Sequence, residues 1–76
     1  MSTLDELKRI IAKIAHFNAD EISLETALKD IKADSLHWVQ IIIAVESAFD
    51  IEIDFEEMKN LTTIEDFVKH IESYVK

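Results

Sequence analysis

No glycine, proline or cysteine occurs anywhere in the 76 residues. A chain of that length is large enough to fold without a metal or a disulfide, yet too small for generous burial, so one modest core must rest on packing alone. Hydrophobic residues make up 49% of the sequence, which is neither collagen-like nor the composition of a disordered chain. Without cysteine there is no thiolate nucleophile, thiolate metal ligand or redox pair, and several enzyme classes fall away together. The longest apolar run, Ile41 to Val45, is far short of the roughly 18 to 20 residues that cross a bilayer. Met1 to Ile10 alternates acids and bases and lacks the apolar heart of a signal peptide, so a cytoplasmic location is expected.

Sixteen acidic residues against eight basic ones give a formal charge of −8. That charge opposes binding to nucleic acid phosphates and to anionic lipid, and directs attention to protein partners that present basic patches. Neither nucleic acid binding nor stable membrane insertion is expected.

The pattern along the chain is helical. Thr3 and Glu6 have capping-box spacing, and Leu4, Leu7, Ile11, Ile14 and Ala15 follow at three- and four-residue intervals with Ile10 broadening the stripe, predicting a first helix that ends near His16 or Phe17. From Asn18 to Asp34 the pattern lapses, although Ile22, Leu24, Leu28 and Ile31 are apolar. This stretch reads as a packed loop with one short turn around Glu25 to Leu28. Asp34 is a suitable cap for a helix from Ser35 to about Phe49, with Leu36, Val39, Ile42, Val45 and Phe49 on its inner face and Ile43 beside it. On this reading Leu36 enters the core while Trp38 and Ile41 face out. The β-branched run Ile41 to Ile43 favours a strand by propensity, but the helical spacing continues beyond it and a lone strand would have no partner. Asp50 to Asp54 reads as an extended connection and Phe55 to Asn60 as a short third helix. Thr63 and Asp66 repeat the capping-box spacing before a last stripe of Ile64, Phe67, Val68, Ile71 and Val75, which carries the final helix to the C-terminus. With no repeat and no linker, residues 1–76 form a single domain of the all-α class.

Asp34-Ser35-Leu36 is the strongest local feature. Taken structurally, it is a helix start: an acid that caps, a small polar residue in the first turn, and a leucine. Taken functionally, Ser35 follows a long loop where another enzyme could reach its hydroxyl, and a phosphoryl group there would meet the positive end of the helix, partly offset by Asp34. Ser35 and His37 diverge by roughly 200° around a helix, which excludes the serine–histidine contact of a hydrolase. Asp50, Glu52, Asp54 and Glu56 imitate the alternating acids of a calcium loop, but Phe55 and Leu61 stand where its glycine and terminal acid belong, so no specific metal site is expected. His16 and His70 read as helix-end residues suited to the dipole.

In its full context the triplet says more. The run Leu24-Glu25-Thr26-Ala27-Leu28-Lys29-Asp30-Ile31-Lys32-Ala33-Asp34-Ser35-Leu36 is followed by Val39, Val45-Glu46, Phe49-Asp50, Ile51-Glu52-Ile53 and Leu61-Thr62-Thr63-Ile64. In that order it resembles an acyl carrier protein over essentially the whole chain. The resemblance implies a small four-helix bundle of three longer helices and a short third one. It implies a monomeric, non-catalytic carrier whose Ser35 receives 4'-phosphopantetheine from coenzyme A through a phosphopantetheinyl transferase. Acyl intermediates would ride on that arm as thioesters and be presented to acyl-chain synthesis or acyl-transfer enzymes of fatty-acid, polyketide or a related specialised metabolism. Ile42, Val45, Ile53, Leu61 and Ile64 would line the acyl pocket, and His37, Trp38, Gln40, Ile41, Glu46 and Glu56 would meet partners.

The chain departs from the family at several positions. Lys32 replaces a common glycine, His37, Gln40, Ser47 and Ala48 stand where acids are usual, and Asp54 replaces a common proline. The second helix thereby loses much of the negative surface that the family's enzymes read, which implies partners unlike those of the housekeeping pathway. Two further readings use the same residues: an unmodified acidic docking module, and an aminoacyl or peptidyl carrier with identical attachment chemistry.

Overall fold

In a computed structural model, which describes residues 2–31 and 33–75, the elements are α1 (Thr3–Ala15), α2 (Ser35–Phe49), α3 (Phe55–Met58) and α4 (Ile64–Tyr74). Lys32, one of the departures noted above, and Lys76 lie outside the described residues.

Each helix begins where a side chain can answer an orphan amide. For α1 that residue is Ser2 rather than Thr3: the Asp5 N–H donates to Ser2 Oγ at 3.1 Å, while Glu6 pairs with Arg9 on the outer face instead of closing a box. The cap lies one residue earlier because Ser2 and Thr3 have equally suitable hydroxyls, and the extended backbone that a cap needs falls at Ser2. Thr63 caps α4 as its spacing predicts. The Asp66 N–H donates to Thr63 Oγ1 at 3.2 Å, and Asp66 Oδ2 accepts the Thr62 and Thr63 amides at 3.0 and 3.1 Å. That double acceptance, first from Thr62 and then from Thr63, holds the Asp66 carboxyl below its ordinary 3.8.

Helix ends show what the missing glycine requires. A left-handed residue after the last turn is the common way to close a helix, and glycine usually takes it. Here His16 (φ 55°) closes α1 and Asp50 (φ 56°) closes α2. Histidine and aspartate are among the side chains that tolerate this region best.

The core draws on every segment but α3: Leu7, Ile10, Ile11 and Ala15 from α1, Ile22 and Ile31 from the loop, Ile41, Ile42 and Val45 from α2, Ile53, and Ile64, Phe67, Val68 and Ile71 from α4. Helix α1 lies against both α2 and α4. Val75 follows α4 as its cap and is exposed, outside the stripe it was expected to extend.

Helix α2 is turned differently from the sequence reading. Ile41 is fully buried (0%), whereas Leu36 (64%) and Ile43 (59%) are exposed and Val39 (39%) is partly so. A helix advances about 100° per residue, so each step of three lags by about 60° and a series built only of threes winds around the axis. Leu36, Val39, Ile42 and Val45 are such a series. The inner face is instead Trp38, Ile41, Ile42, Val45 and Phe49, spaced by both threes and fours.

The segment from 18 to 34 is packed, as expected, and holds more than the one turn expected: besides a turn closed by the Thr26 N–H on the Ser23 carbonyl at 3.1 Å, it has two 3-10 turns. Single 3-10 turns form at Ala19–Glu21, where Asn18 Oδ1 accepts the Asp20 N–H at 3.0 Å, and at Leu28–Asp30. Between them the backbone pairs with the approach to α4. Leu28 N–H donates to the Thr62 carbonyl, Ile64 N–H to Thr26 and Glu65 N–H to Leu24, each at 2.9 Å. These bonds run alongside the turn expected around Glu25 to Leu28 and tie residues 24–28 to the approach to α4.

Candidate functional site

Ser35 opens α2 at the point where the clipped loop meets the helix, and its side chain is exposed. Asp34 caps the helix with Oδ1 accepting the His37 N–H at 2.9 Å. In return the Asp34 N–H donates to His37 Nδ1 at 3.3 Å, closing a capping box with histidine in the place usually held by a glutamate or glutamine. Accepting that amide requires a bare Nδ1, so the 3.4 Å contact between Nδ1 and Asp34 Oδ1 is an approach of two acceptors and not a second bond. His37 therefore turns back onto the cap and fixes the backbone on both sides of Ser35.

Beside the hydroxyl runs a groove of about 220 Å³ lined by Leu28, Ser35, Trp38, Ile42, Phe55, Met58 and Lys59. Three segments make it: the second 3-10 turn, α2, and the short α3. The lining is almost wholly apolar, with Ser35 and Lys59 as its polar residues; the Lys59 ammonium itself pairs with the exposed Glu56 at 3.3 Å. Trp38 joins the groove to the core, its ring centroid 6.3 Å from that of Phe67. Phe55, 44% exposed, stands at the edge.

The position of α3 is set from both sides. At its start Asp54 Oδ1 accepts the Glu56 N–H at 2.9 Å, and just before it the Ile53 N–H donates to Glu46 Oε2 at 2.8 Å, tying the connection back to α2. Toward α4, the Tyr74 hydroxyl donates to Glu57 Oε2 at 2.8 Å. That bond, with burial second, raises the phenol above its ordinary 10.0. His70 stacks edge-on against Tyr74 with centroids 5.1 Å apart and holds a buried Nε2 3.6 Å from the same carboxylate. It sits inside α4 facing α3, not at the helix end where a charge–dipole role was expected.

These positions revise the expected site in several places. Ile41 has no exposed surface to offer a partner, and Glu46 is engaged with the Ile53 amide. Gln40 and Glu56 are exposed, and Trp38 faces the groove and core. Of the five residues expected along the pocket, Ile42 lines it. Val45, Ile53 and Ile64 are buried in the core, and Leu61 packs against that core. Leu28, Phe55, Met58 and Lys59 went unread. A signal existed for two of them, since Phe55 and Met58 are large apolar residues three apart within an acidic run, the spacing of one helix face. Among the described residues no helix is long and apolar enough to cross a membrane.

Comparison with known proteins adds an independent line. Residues 5–71 match the family model described as the phosphopantetheine attachment site. An acyl carrier protein of Campylobacter jejuni subsp. doylei is 35% identical over 77 aligned residues, with all of both chains covered. One from Wolinella succinogenes is 34% identical over 74 residues, covering 96% of this chain and 97% of the relative. The solution structure of a holo acyl carrier protein from Geobacter metallireducens superposes with a TM-score of 0.80 at 25% identity, covering 97% of this chain and 86% of that one.

Proposed function

Because the chain belongs to the acyl carrier protein family, whose members are carriers and not enzymes, we propose that Ser35 is the residue through which it holds 4'-phosphopantetheine. The observation that carries this reading is an exposed hydroxyl in the first turn of α2, at the rim of an apolar groove. The fit is chemical as well as steric. A phosphodiester on Ser35 would sit at the amino end of a fifteen-residue helix, where the dipole favours negative charge. When bound, the group supplies the terminal thiol on which an acyl chain is carried as a thioester, which a chain without cysteine needs.

What the protein contributes is position. The Asp34–His37 box holds the Ser35 backbone in one conformation, so a transferase meets a pre-formed target. Tethering then raises the effective concentration of cargo at each docked enzyme, which brings its own acid, base or nucleophile. Leu28, Trp38, Ile42, Phe55 and Met58 form a wall against which an apolar cargo can shelter from water. The carrier works as a cytoplasmic monomer, with a phosphopantetheinyl transferase and the enzymes of fatty-acid, polyketide or a related acyl metabolism as partners. Loss of acids at His37, Gln40, Ser47 and Ala48 points to a specialised set of them.

The test is loading with acyl-coenzyme A through a broad-specificity transferase. The wild type is expected to gain the acylated arm, to release the acyl group alone to neutral hydroxylamine, and to change its Trp38 fluorescence as the cargo lengthens. Ser35→Ala is expected to gain nothing. Equal uptake by the two proteins would refute the assignment.

A further inference from the structure

We propose that His70 and Tyr74 are positioning residues for the cargo groove: both act on α3 through the Glu57 carboxylate, and the charge on His70 sets how firmly the Phe55 and Met58 wall is held. This rests on the reading of that groove as a shelter for cargo and names how the shelter is governed.

Helix α3 needs such a hold. It is four residues long with no buried residue of its own, yet it supplies Phe55 and Met58 to the groove. A single helical turn does not persist without contacts from outside. Two of those contacts meet at one oxygen. Glu57 Oε2 accepts the Tyr74 hydroxyl at 2.8 Å and lies 3.6 Å from His70 Nε2, and the two α4 side chains stand one turn apart with their rings edge-on.

The Tyr74 bond is complete and the His70 contact is not. Nε2 is the one buried side-chain nitrogen or oxygen among the described residues without a hydrogen-bond partner, and such a group calls for a reason. A neutral imidazole presents Nε2 either as a bare acceptor, which the carboxylate repels, or as an N–H too far from Oε2 for a hydrogen bond. A protonated imidazole carries an N–H there in every case, and the same approach becomes an ion pair. Charging His70 thus adds a second tie between α4 and α3 where the neutral ring adds none. The neighbouring charges are answered elsewhere. On α3, Glu56 pairs with Lys59, and on α4, Glu65 pairs with Lys69 while Asp66 accepts the Thr62 and Thr63 amides. Asp54 faces the Tyr74 phenol, and α1, which also packs on α4, brings no carboxylate of its described residues within 4.0 Å of the imidazole.

The experiment compares wild type with His70→Gln, a neutral side chain of similar reach, from about pH 5.5 to about pH 8.5, a range that spans imidazole titration and lies above that of carboxylates. Hydrogen exchange at the Asn60 and Leu61 amides, which donate to the Glu57 and Met58 carbonyls, reports α3 in the unmodified protein. Hydroxylamine attack on an octanoyl thioester carried on the arm at Ser35 reports the shelter. The ratio of variant rate to wild-type rate at each pH removes the intrinsic pH dependence of both reactions and the titration of His16 and His37, which the two proteins share. Both ratios are expected to stand at about three at the acid end, the scale of one partly exposed ion pair, and to fall toward one at the alkaline end. Should circular dichroism show His70→Gln unfolded, Glu57→Gln replaces it, with ratios expected to fall likewise as pH rises. Ratios that do not change with pH make His70 a packing residue and overturn the proposal while the Ser35 assignment stands. An exchange ratio that varies beside a flat thioester ratio also overturns it, since the tie then stops short of the cargo. Folded wild type that takes up no arm overturns the Ser35 assignment and this proposal with it.

Discussion

Truncating Ile41 and its neighbour Ile43 separates the two possible rotations of α2. Ile41→Ala deletes about three methylene equivalents from a fully buried position, worth ~2.4 kcal/mol of transfer free energy. The cavity left in the core raises the expected loss to about 3–4 kcal/mol. At ~0.05–0.15 kcal/mol per residue, a chain of this length holds about 4–11 kcal/mol in total, so that loss consumes much of its stability. Ile43→Ala removes a side chain already 59% exposed, and the better helix propensity of alanine returns a few tenths, leaving a change of about 0.5 kcal/mol or less. Urea unfolding followed by circular dichroism and by Trp38 fluorescence measures both, with coincident transitions as the check on two-state behaviour. Equal costs for the two variants, or a larger one for Ile43→Ala, would refute the inner face described here.

Asp66, whose carboxyl is held low by the Thr62 and Thr63 amides, stabilises the fold above its unfolded value near 3.8, and the contribution is lost as pH falls through the lower folded value. Asp66→Ala should therefore be less stable than wild type near neutrality, with the gap closing in acid. A gap in the urea midpoints that does not change with pH would contradict this. Tyr74 runs the other way: its raised value favours the protonated phenol, a contribution complete below 10.0 and lost as pH climbs through the folded value. Tyrosinate absorbance of this single tyrosine should rise with a midpoint above 10.0 that drops in Glu57→Ala, and an unmoved midpoint would remove the proposed bond. At His16, glycine relieves left-handed strain against a larger entropy loss, so His16→Gly should stabilise by up to about 1 kcal/mol in the same urea assay, and a destabilised variant would contradict the strain.

The legibility of each element follows from where its determining contacts lie. Helices α1 and α4 carry sharp apolar stripes against charged outer faces, so periodicity alone located both them and their buried residues. In α2, apolar residues occupy nearly every side, which made the element readable but not its rotation. What decides between Leu36 and Ile41 is packing against α1. The loop before Ser35 takes its shape from bonds to Thr62 and to the amides of Ile64 and Glu65, about 35 to 40 residues away, and no local pattern encodes such pairing. The helix start at Asp34-Ser35 was legible because a cap and a small hydroxyl are adjacent in sequence, whereas Ser35 as an attachment point rests on the resemblance of the whole run to acyl carrier proteins. The groove was not, because it exists only once α3 brings Phe55 and Met58 against Trp38 and Leu28.

Intact-mass analysis after incubation with coenzyme A and a broad-specificity phosphopantetheinyl transferase, followed by peptide mapping, tests the central claim most directly. Wild type should gain one phosphopantetheine, located on the peptide containing Asp34-Ser35-Leu36, while Ser35→Ala keeps its mass. Folded wild type that stays unmodified with several transferases, or an arm found on any other residue, would contradict the account.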